Sequence, residues 1–587
     1  MGRPTAAYTP RVRRPFRFGP ASLPRPAFSA ADLVVLAGLG AVLALAIRLA
    51  WRAPAVVAGP EIHLAWSALP WYALLSTSRM AAAYVLSLLF SLAYGYFAAR
   101  SPSARKVLMP LLDILQSVPI LSFLPVVLLG LSALLPQGIA TELAAIILIF
   151  TSQAWNMTYS FYQSVTTVPQ EMREAAAIFR LSPWLRFRVL DLPFAALGLI
   201  WNSMMSWAGG WFFLMAAEIF RVGSRDFRLA GLGAYLQTAA DANDLKAVAA
   251  GVITLILTIV LLDQLLWRPV LAWADKFKVE MVSSDAPPPQ SWFYDVVHHS
   301  HLIGWLRRRV WLPFTERLDR RTNLPAESDG SQKRGLRRRL GLAVLAVLGA
   351  GAAAALLYGL YRAVVTLAGL PAAGWAALGI GVLATFGRVV ASLVLALLWT
   401  VPVGVAIGTN RRLASVLQPV VQVVASVPAT ALFPVLVLAL LRVPGGLNLA
   451  AVVLMLAGTQ WYLLFNVIAG TAAIPQDLRD SADLLRLSRW QRWRTLTLPA
   501  LFPFLVTGAI TAGGGAWNAS IVAEYVTFGG KTHSTTGIGS LIAQATAASD
   551  YRLLLASTLT MILTVVGLNR TWWRWLYHQA EVRFKLE

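Results

Sequence analysis

Apolar residues run along this chain in long stretches separated by short polar segments, and the stretches fall into two sets of six. The first set covers roughly 32–50, 72–98, 107–134, 139–163, 195–217 and 247–267. The second covers roughly 340–368, 376–408, 416–441, 447–472, 501–523 and 552–573. Such stretches reach or approach the roughly 20 residues that a helix needs to cross a hydrocarbon core. All are predicted as helices, because lipid offers no partner to an open backbone N–H or C=O. Pro119, Pro125, Pro428 and Pro434 fall inside them and are expected to kink the helices rather than end them.

The two sets are copies of one unit. Gln116-Ser117-Val118-Pro119 returns as Ala425-Ser426-Val427-Pro428, and the same spacing carries Arg79 onto Arg388, Gly95 onto Gly404 and Pro125 onto Pro434. A second constant spacing carries Trp155 onto Trp461, Pro169 onto Pro475, Trp184 onto Trp490, Trp211 onto Trp517 and Glu218 onto Glu524. The expected organisation is a first repeat over 1–280 with its core at 75–280. A basic linker follows over 281–339, then a second repeat over 340–587 with its core at 385–587.

Composition agrees with membrane residence. Hydrophobic residues make up 57% of the chain and charged residues 13%, against about 25% charged in soluble domains. So little charge cannot coat a water-facing surface, and lipid is the implied solvent. The net charge of +23 does not point to nucleic acid, because the basic residues gather between apolar stretches. They crowd the N-terminal tail (Arg11, Arg13, Arg14, Arg17), 100–106, 173–188, the linker, 411–412, 479–494 and the C-terminal tail. Loops 132–139 and 369–375 hold no Lys or Arg. The positive-inside rule then puts both termini and the linker in the cytoplasm, and the first stretch reads as an uncleaved helix. Arg221, Arg225 and Arg228 fall on the outer side and conflict mildly with this topology. In the linker, Pro287-Pro288-Pro289 marks a break. Beyond it, Trp292, Phe293, Trp305 and Trp311 alternate with Arg307–Arg309, which fits a helix lying on the inner leaflet or a solvated basic segment. Absence of Cys excludes disulfides and thiolate metal sites. His298, His299 and His301 lack ligand spacing, so no metal site is expected.

The segment between the fourth and fifth stretches carries the most chemistry. In the first repeat it runs from Pro169 through Glu171, Arg173, Glu174-Ala175-Ala176, Ile178, Phe179 and Arg180 to Ser182-Pro183-Trp184, closing at Leu192-Pro193. In the second it runs from Pro475 through Asp477, Arg479, Asp480-Ser481-Ala482, Leu484, Leu485 and Arg486 to Ser488-Arg489-Trp490, closing at Leu498-Pro499. The pattern predicts helix, turn and second short helix. Pro169 and Pro475 suit a first turn, Glu171 and Asp477 favour the positive end of the dipole, and Ser182 and Ser488 suit N-caps. Ala175 and Ala176 leave a small-residue face, and Ile178, Phe179, Leu484 and Leu485 suit an apolar groove on a partner.

These residues resemble the cytoplasmic Glu-Ala-Ala loop of binding-protein-dependent ABC importer permeases. In that family the loop is the coupling helix that docks on an ATPase subunit. The resemblance implies an all-α polytopic membrane protein with about twelve transmembrane helices in two tandem six-helix permease repeats. It assigns ATPase coupling to Glu171, Glu174, Ala175, Ala176, Phe179 and Arg180, and to Asp477, Asp480, Ala482, Leu485 and Arg486. The family pattern has Gly where Arg180 and Arg486 stand. Arg does not readily take the left-handed conformation that such a Gly provides, so a reshaped turn is expected. Gln116 to Pro125, Ala217-Glu218 and Gly231-Leu232-Gly233, with Ala523-Glu524 and Gly537-Ile538-Gly539, resemble the nitrate, sulfonate, taurine and bicarbonate branch, in its duplicated single-chain form. The resemblance further implies two copies of a cytoplasmic ABC ATPase that uses ATP, an extracytoplasmic solute-binding protein, and a bacterial inner-membrane location. No cofactor is expected on this chain.

Other signals weigh less. Gly530-Lys531-Thr532 ends like a phosphate-binding loop, but Tyr525 stands where that motif needs Gly. Gln153, Asn156, Asn202, Thr459, Gln460 and Asn518 are polar within spans four and five; they line a solute pathway or serve as interhelical glue. Glu218 and Glu524 are either functional acids or partners of an Arg or a helix end. Arg79 and Arg388 either snorkel to the interface or present a field to an incoming anion. An enzyme would want clustered His, Asp or Cys, and none is seen. The rival architecture is a secondary transporter with two six-helix halves.

Overall fold

The computed structural model describes residues 30–583 except 52, 55–56, 223–224, 278–290, most of 300–330, 441–442, 473 and 529–530. Pro287–Pro289, His301, Arg307, Trp311 and the N-terminal arginines lie outside the described residues. The first repeat holds α1 (Ala30–Ala50), α2 (Leu69–Arg100), α3 (Pro102–Ser117), α4 (Leu124–Ser132), α5 (Gln137–Thr166), α6 (Gln170–Ile178), α7 (Pro183–Arg186) and α8 (Leu192–Glu218). A hairpin of β1 (Arg221–Val222) and β2 (Arg225–Asp226) follows, then α9 (Leu232–Asp241), α10 (Leu245–Leu262) and α11 (Arg268–Ala274). A short helix, α12 (Trp292–His299), packs on α11.

The second repeat repeats this order. It holds α13 (Ser331–Ala368), α14 (Ala372–Thr409), α15 (Arg411–Ser426), α16 (Ala429–Leu440), α17 (Gly446–Ala472), α18 (Gln476–Leu484), α19 (Arg489–Arg492) and α20 (Leu498–Ala523). The hairpin of β3 (Tyr525–Phe528) and β4 (Lys531–Ser534), α21 (Ile538–Ala547), α22 (Tyr551–Leu568) and α23 (Arg574–Arg583) complete it. The protein is an all-α polytopic membrane protein of two repeats. The hairpins are the strands the sequence did not announce. α13 begins at Ser331, so the expected boundary at 340 falls inside a helix.

Ten helices among the described residues are long and apolar enough to cross a membrane, or eleven when α3 and the segment Ile120–Ser132 count as one. The difference from the expected twelve lies in the third span of each repeat. Pro119 does not kink that span; the chain leaves the helix there and turns by 86°. Val118 is extended (φ −75°, ψ 124°), as a residue before Pro prefers, and Pro119 is extended too. Val427 repeats the conformation (φ −74°, ψ 117°) between α15, of 16 residues, and α16, of 12. Matched caps start the inner segments: Ser101 accepts from the Ala104 N–H, and Asn410 from those of Arg412 and Leu413.

Close helix packing uses small and hydroxylic residues four apart. On α2 these are Ser87, Ser91 and Gly95; on α14 they are Ala396, Thr400 and Gly404, all buried. Ser91 donates to the Ala154 carbonyl at 3.0 Å and receives from Thr158 at 2.9 Å. A side chain at Gly95 or Gly404 would collide with Phe161 or Val467 across the interface. The repeats share one core in which Leu121, Leu124 and Leu128 meet Trp517, Met561 and Ile562. The break of each third span is tied to the opposite repeat. Asn518 accepts from the Leu121 N–H at 3.3 Å, and Thr430 donates to the Phe212 carbonyl at 3.3 Å.

Four π-helical turns recur at matched places: Phe187–Asp191, Asp263–Trp267, Trp493–Thr497 and Asn569–Trp573. Three precede Pro193, Pro269 and Pro499. Proline brings no N–H and crowds the carbonyl four residues back, and a wider turn accommodates both. The sequence-predicted second short helix of each loop is therefore not separate. α7 runs through its π turn into α8, one helical path from Pro183 to Glu218.

Candidate functional site

At one end of the bundle, α6 and α18 cross between spans four and five. Arg173 anchors α6 by donating to the Val165 and Thr166 carbonyls at 3.2 and 2.7 Å, and Arg479 donates to the Thr471 carbonyl at 2.7 Å. These arginines satisfy open carbonyls at the end of the preceding span. Their sequence signal was a matched Arg one residue before the acid of each loop. The helices end alike. The Leu181 N–H reaches the Ala176 carbonyl and the Arg180 N–H that of Ala177; Leu487 and Arg486 reach Ala482 and Asp483 in the same way. This closure needs a left-handed residue, and Arg180 and Arg486 supply it at φ 48° and 47°. The expectation of a reshaped turn is thus overturned: both hydrogen bonds form in both copies and hold each Arg in a conformation that favours Gly. Ser182 and Ser488 accept from the Leu185 and Gln491 N–H groups as caps.

The outward faces carry Glu171, Glu174, Ala175, Asp477, Asp480 and Ser481, all exposed. Ala176 and Ala482 are buried at 7% and 4% exposure, so only the first Ala of the pair lies on an open face. Adjacent helix positions point about 100° apart. Ile178 and Phe179 are 78% and 76% exposed, and Leu484 and Leu485 84% and 72%. Each helix therefore ends in a pair of large apolar side chains left open on an otherwise polar surface.

Of the six polar residues named within the spans, Gln153, Gln460 and Asn518 bond to another helix, and Asn202 and Thr459 bond within their own. Gln153 is fully buried; its amide meets the Met80 sulfur at 3.2 Å, and its oxygen lies 3.5 Å from the Ser87 hydroxyl. Thr459 is buried and donates to its own helix at Met455. Gln460 accepts from the Trp399 indole at 3.1 Å, Asn202 donates to Gly198, and Asn518 joins the repeats. Asn156 is exposed.

At the opposite ends of the spans, the structure joins residues that sequence reasoning kept apart. Arg79 is 5% exposed and does not snorkel. Its Nη1 donates to Glu218 Oε1 at 2.9 Å and to the Ala230 carbonyl at 2.8 Å, while Nε and Nη2 grip Glu142 at 2.6 and 2.7 Å. Glu218 is fully buried and also accepts from Ser76 at 2.7 Å and from the Gly233 N–H at 2.7 Å. Ser76 in turn accepts from the Leu232 N–H at 3.0 Å. The carboxylate therefore caps the N-terminus of α9 from outside the helix.

The second copy rebuilds this with Glu524, also fully buried. Arg388 donates to Glu524 at 2.7 Å, Thr385 donates to it at 2.7 Å, and the Gly539 N–H reaches it at 3.0 Å. Gly231 and Gly537 are extended, so conformation does not demand glycine there. Space does, since a Cβ at either would strike the Glu218 or Glu524 carboxylate. Neither arginine presents an open field to a solute; both are committed to carboxylates. The signal that could have paired them was the recurrence of one Arg and one Glu inside apolar spans of both copies, since a buried charge needs a partner.

The basic cluster beyond α8 is also paired. Arg228 grips Asp226 through Nε at 2.9 Å and Nη2 at 2.7 Å, and Arg225 donates to the Pro54 carbonyl and to Ser549. Burial alone would push the Asp226 carboxyl up, but the hydrogen bonds from Arg228 and the charges of Arg228 and Arg221 hold it below the ordinary value.

The sequence matches the family described as binding-protein-dependent transport system inner membrane component over residues 91–266 and again over 392–570, more than half of the chain. A nitrate import permease of Synechocystis sp. is 28% identical over 191 residues, which is 32% of this chain and 64% of that protein. A bicarbonate transport system permease of Synechococcus elongatus is 31% identical over 160 residues, 27% of this chain and 54% of that protein. An osmoprotectant import permease of Salmonella typhimurium is 25% identical over 189 residues, 32% of this chain and 82% of that protein. The chain thus spans between about half and two thirds of the length of the first two relatives.

Proposed function

The chain belongs to the binding-protein-dependent transport system inner membrane components, and from that premise we propose that it forms the transmembrane pathway of an ATP-driven importer of a small anion. It is a multi-pass inner-membrane transport permease subunit, not an enzyme. One observation carries the coupling role. Each repeat sets a helix of the same design at the same end of the bundle, with an exposed acid and two exposed apolar residues beside a left-handed Arg. Two such helices in one chain suit two ATPase subunits, so no second permease chain is required. ATP binding draws the ATPases together, and the repeats swing as units to alternate access; only differential binding of the two states drives such a shift. Both termini then lie in the cytoplasm, and a solute-binding protein delivers cargo to the opposite face. The anion reading rests on the nitrate and bicarbonate permeases among the relatives.

The test is Glu174→Lys combined with Asp480→Lys. Both positions are exposed, so the changes cost little stability but set like charges against a surface that expects an acid. Membrane insertion is expected to persist while ATPase co-purification and transport are lost. Association that survives in the double variant removes α6 and α18 as docking sites.

A further inference from the structure

Between the repeats, at the ends of the spans remote from α6 and α18, lies a cavity of about 80 Å³. At the roughly 10–15 Å³ that one water needs by this measure, it holds several waters and has room for an ion of four heavy atoms. Its lining is unequal. The first repeat contributes Arg221 and Gln237, the polar side chains of the lining beside Tyr525. The second contributes Tyr525, Ile542 and Ala543, at the positions matched by Ile219, Leu236 and Gln237 in the first. Arg221 itself is matched by Thr527. All the lining charge therefore comes from one repeat.

Arg221 is loosely held. Its Nε lies 3.3 Å from Asp226 and its Nη1 3.5 Å from Asp241, both beyond the roughly 2.7–2.9 Å of a strong charge-assisted bond. Nε has no hydrogen-bond partner among the described residues. Gln237 spends one amide N–H on Asp241 at 3.1 Å, which leaves its second N–H for a ligand. Phe433 and Ile521 give the cavity apolar walls, and low dielectric there strengthens a cation's pull on an anion.

We propose that this cavity is a solute subsite in which the first repeat performs the recognition. Arg221, with Gln237 beside it, binds a planar oxoanion of four heavy atoms, such as nitrate or bicarbonate, and the second repeat supplies the walls. This rests on the anion reading above and adds which half selects charge.

The experiment measures thermal unfolding of the full chain in lipid nanodiscs, in sodium nitrate against sodium gluconate of equal ionic strength, with taurine as a zwitterionic probe that carries no net charge. Nitrate is expected to raise the midpoint of the unmodified chain and taurine to leave it unchanged. Arg221→Gln weakens the apparent nitrate affinity by roughly tenfold or more, and Arg221→Lys, which keeps the charge and guards against a folding defect, weakens it less. Asp241→Asn, which frees the guanidinium, strengthens it. Arg221→Gln with Asp241→Asn stays weak. If that double variant regains the nitrate response, Arg221 serves only as a partner of Asp241 and the subsite is refuted. A shift with taurine equal to that with nitrate, or no shift with nitrate or bicarbonate, also refutes it. A separate measurement keeps the two readings distinguishable: stimulation of ATPase turnover by the solute-loaded binding protein. Turnover driven by an anion with Arg221→Gln unaffected sinks the subsite alone, whereas turnover driven only by a sugar or a cation sinks the anion reading.

Discussion

The two buried clamps have the same geometry and different charge. In the first repeat Arg79 lies between two carboxylates, Glu218 and Glu142. In the second, Asn448 stands at the position of Glu142, and Arg388 completes its bonds with the Asn448 amide, Thr535 and the Thr536 carbonyl. The first clamp thus carries one surplus negative charge, tolerable because Glu142 is 43% exposed; the second is neutral. Duplication preserved what the backbone requires: one carboxylate capping α9 or α21, one Arg neutralising it, and one Gly making room. It did not preserve the outer partner, which solvent can replace. Geometry is constrained where burial is complete, and chemistry drifts where water reaches.

The sharpest way to break this comparison is to remove the shared carboxylate from each copy. Glu524→Gln leaves Arg388 without an acid, and an uncompensated buried charge costs about 3–5 kcal/mol. Glu218→Gln leaves Arg79 still gripped by Glu142 through two bonds, so its cost is expected to be clearly smaller. Denaturant unfolding in mixed micelles reads the difference. Asn448→Glu placed on Glu524→Gln is expected to recover much of the loss by restoring the arrangement of the first copy. Equal costs for the two Gln variants, or no recovery, would mean that Glu142 is a bystander.

Much of this fold was legible because proline and tryptophan survive duplication at fixed spacing. Pro119 and Pro428 marked the third span, although a Pro within an apolar run was read as a kink. The deciding feature was the residue before it: Val118 and Val427 prefer extended backbone, and two extended residues in succession open the 86° bend. The helix-and-turn segments between spans four and five were legible almost residue by residue, since their caps and first-turn acids are local. The clamps were not, because Arg79 and Glu218 are 139 residues apart and no local pattern announces their meeting. Arg221 was noticed only as a topological exception, since a sequence does not show which charges already have a firm partner. The span amides show the reverse: polarity in a span is visible, but whether a neighbouring helix bonds it, as at Gln153 and Gln460, is not.

The turns after α6 and α18 sharpen the comparison from the side the copies share, since both hold Arg in the same left-handed conformation. Arg180→Gly and Arg486→Gly should therefore act alike, whereas the clamp variants should not. Relief of the left-handed strain is offset in part by the greater freedom of Gly in the unfolded chain, and a net gain of about 1 kcal/mol or less is expected from each. ATPase association should persist in both. If either Gly variant keeps its fold and loses the ATPase, that Arg is retained for contact with the partner and not merely tolerated in the turn.

The smallest expected effect concerns the hairpins, where the copies differ again. Asp226 sits opposite Arg221 in the first hairpin and holds Arg228 through three side-chain bonds; the second hairpin has Thr532 at the matched position. Because the folded chain holds the Asp226 carboxyl below the ordinary Asp value of 3.8, its stabilising contribution is complete above that value. It fades as pH falls further, through the lower folded value, because protonation then removes the charge that binds Arg228. The second hairpin has no equivalent acid to titrate. Amide hydrogen exchange corrected for intrinsic rates should therefore show protection at 225–229 falling on acidification below the ordinary Asp value, with little change at 531–535. Asp226→Asn should abolish the difference by loosening the first hairpin at every pH. Equal acid sensitivity of both hairpins would place its origin outside Asp226, in carboxylates common to both repeats such as Glu218 and Glu524.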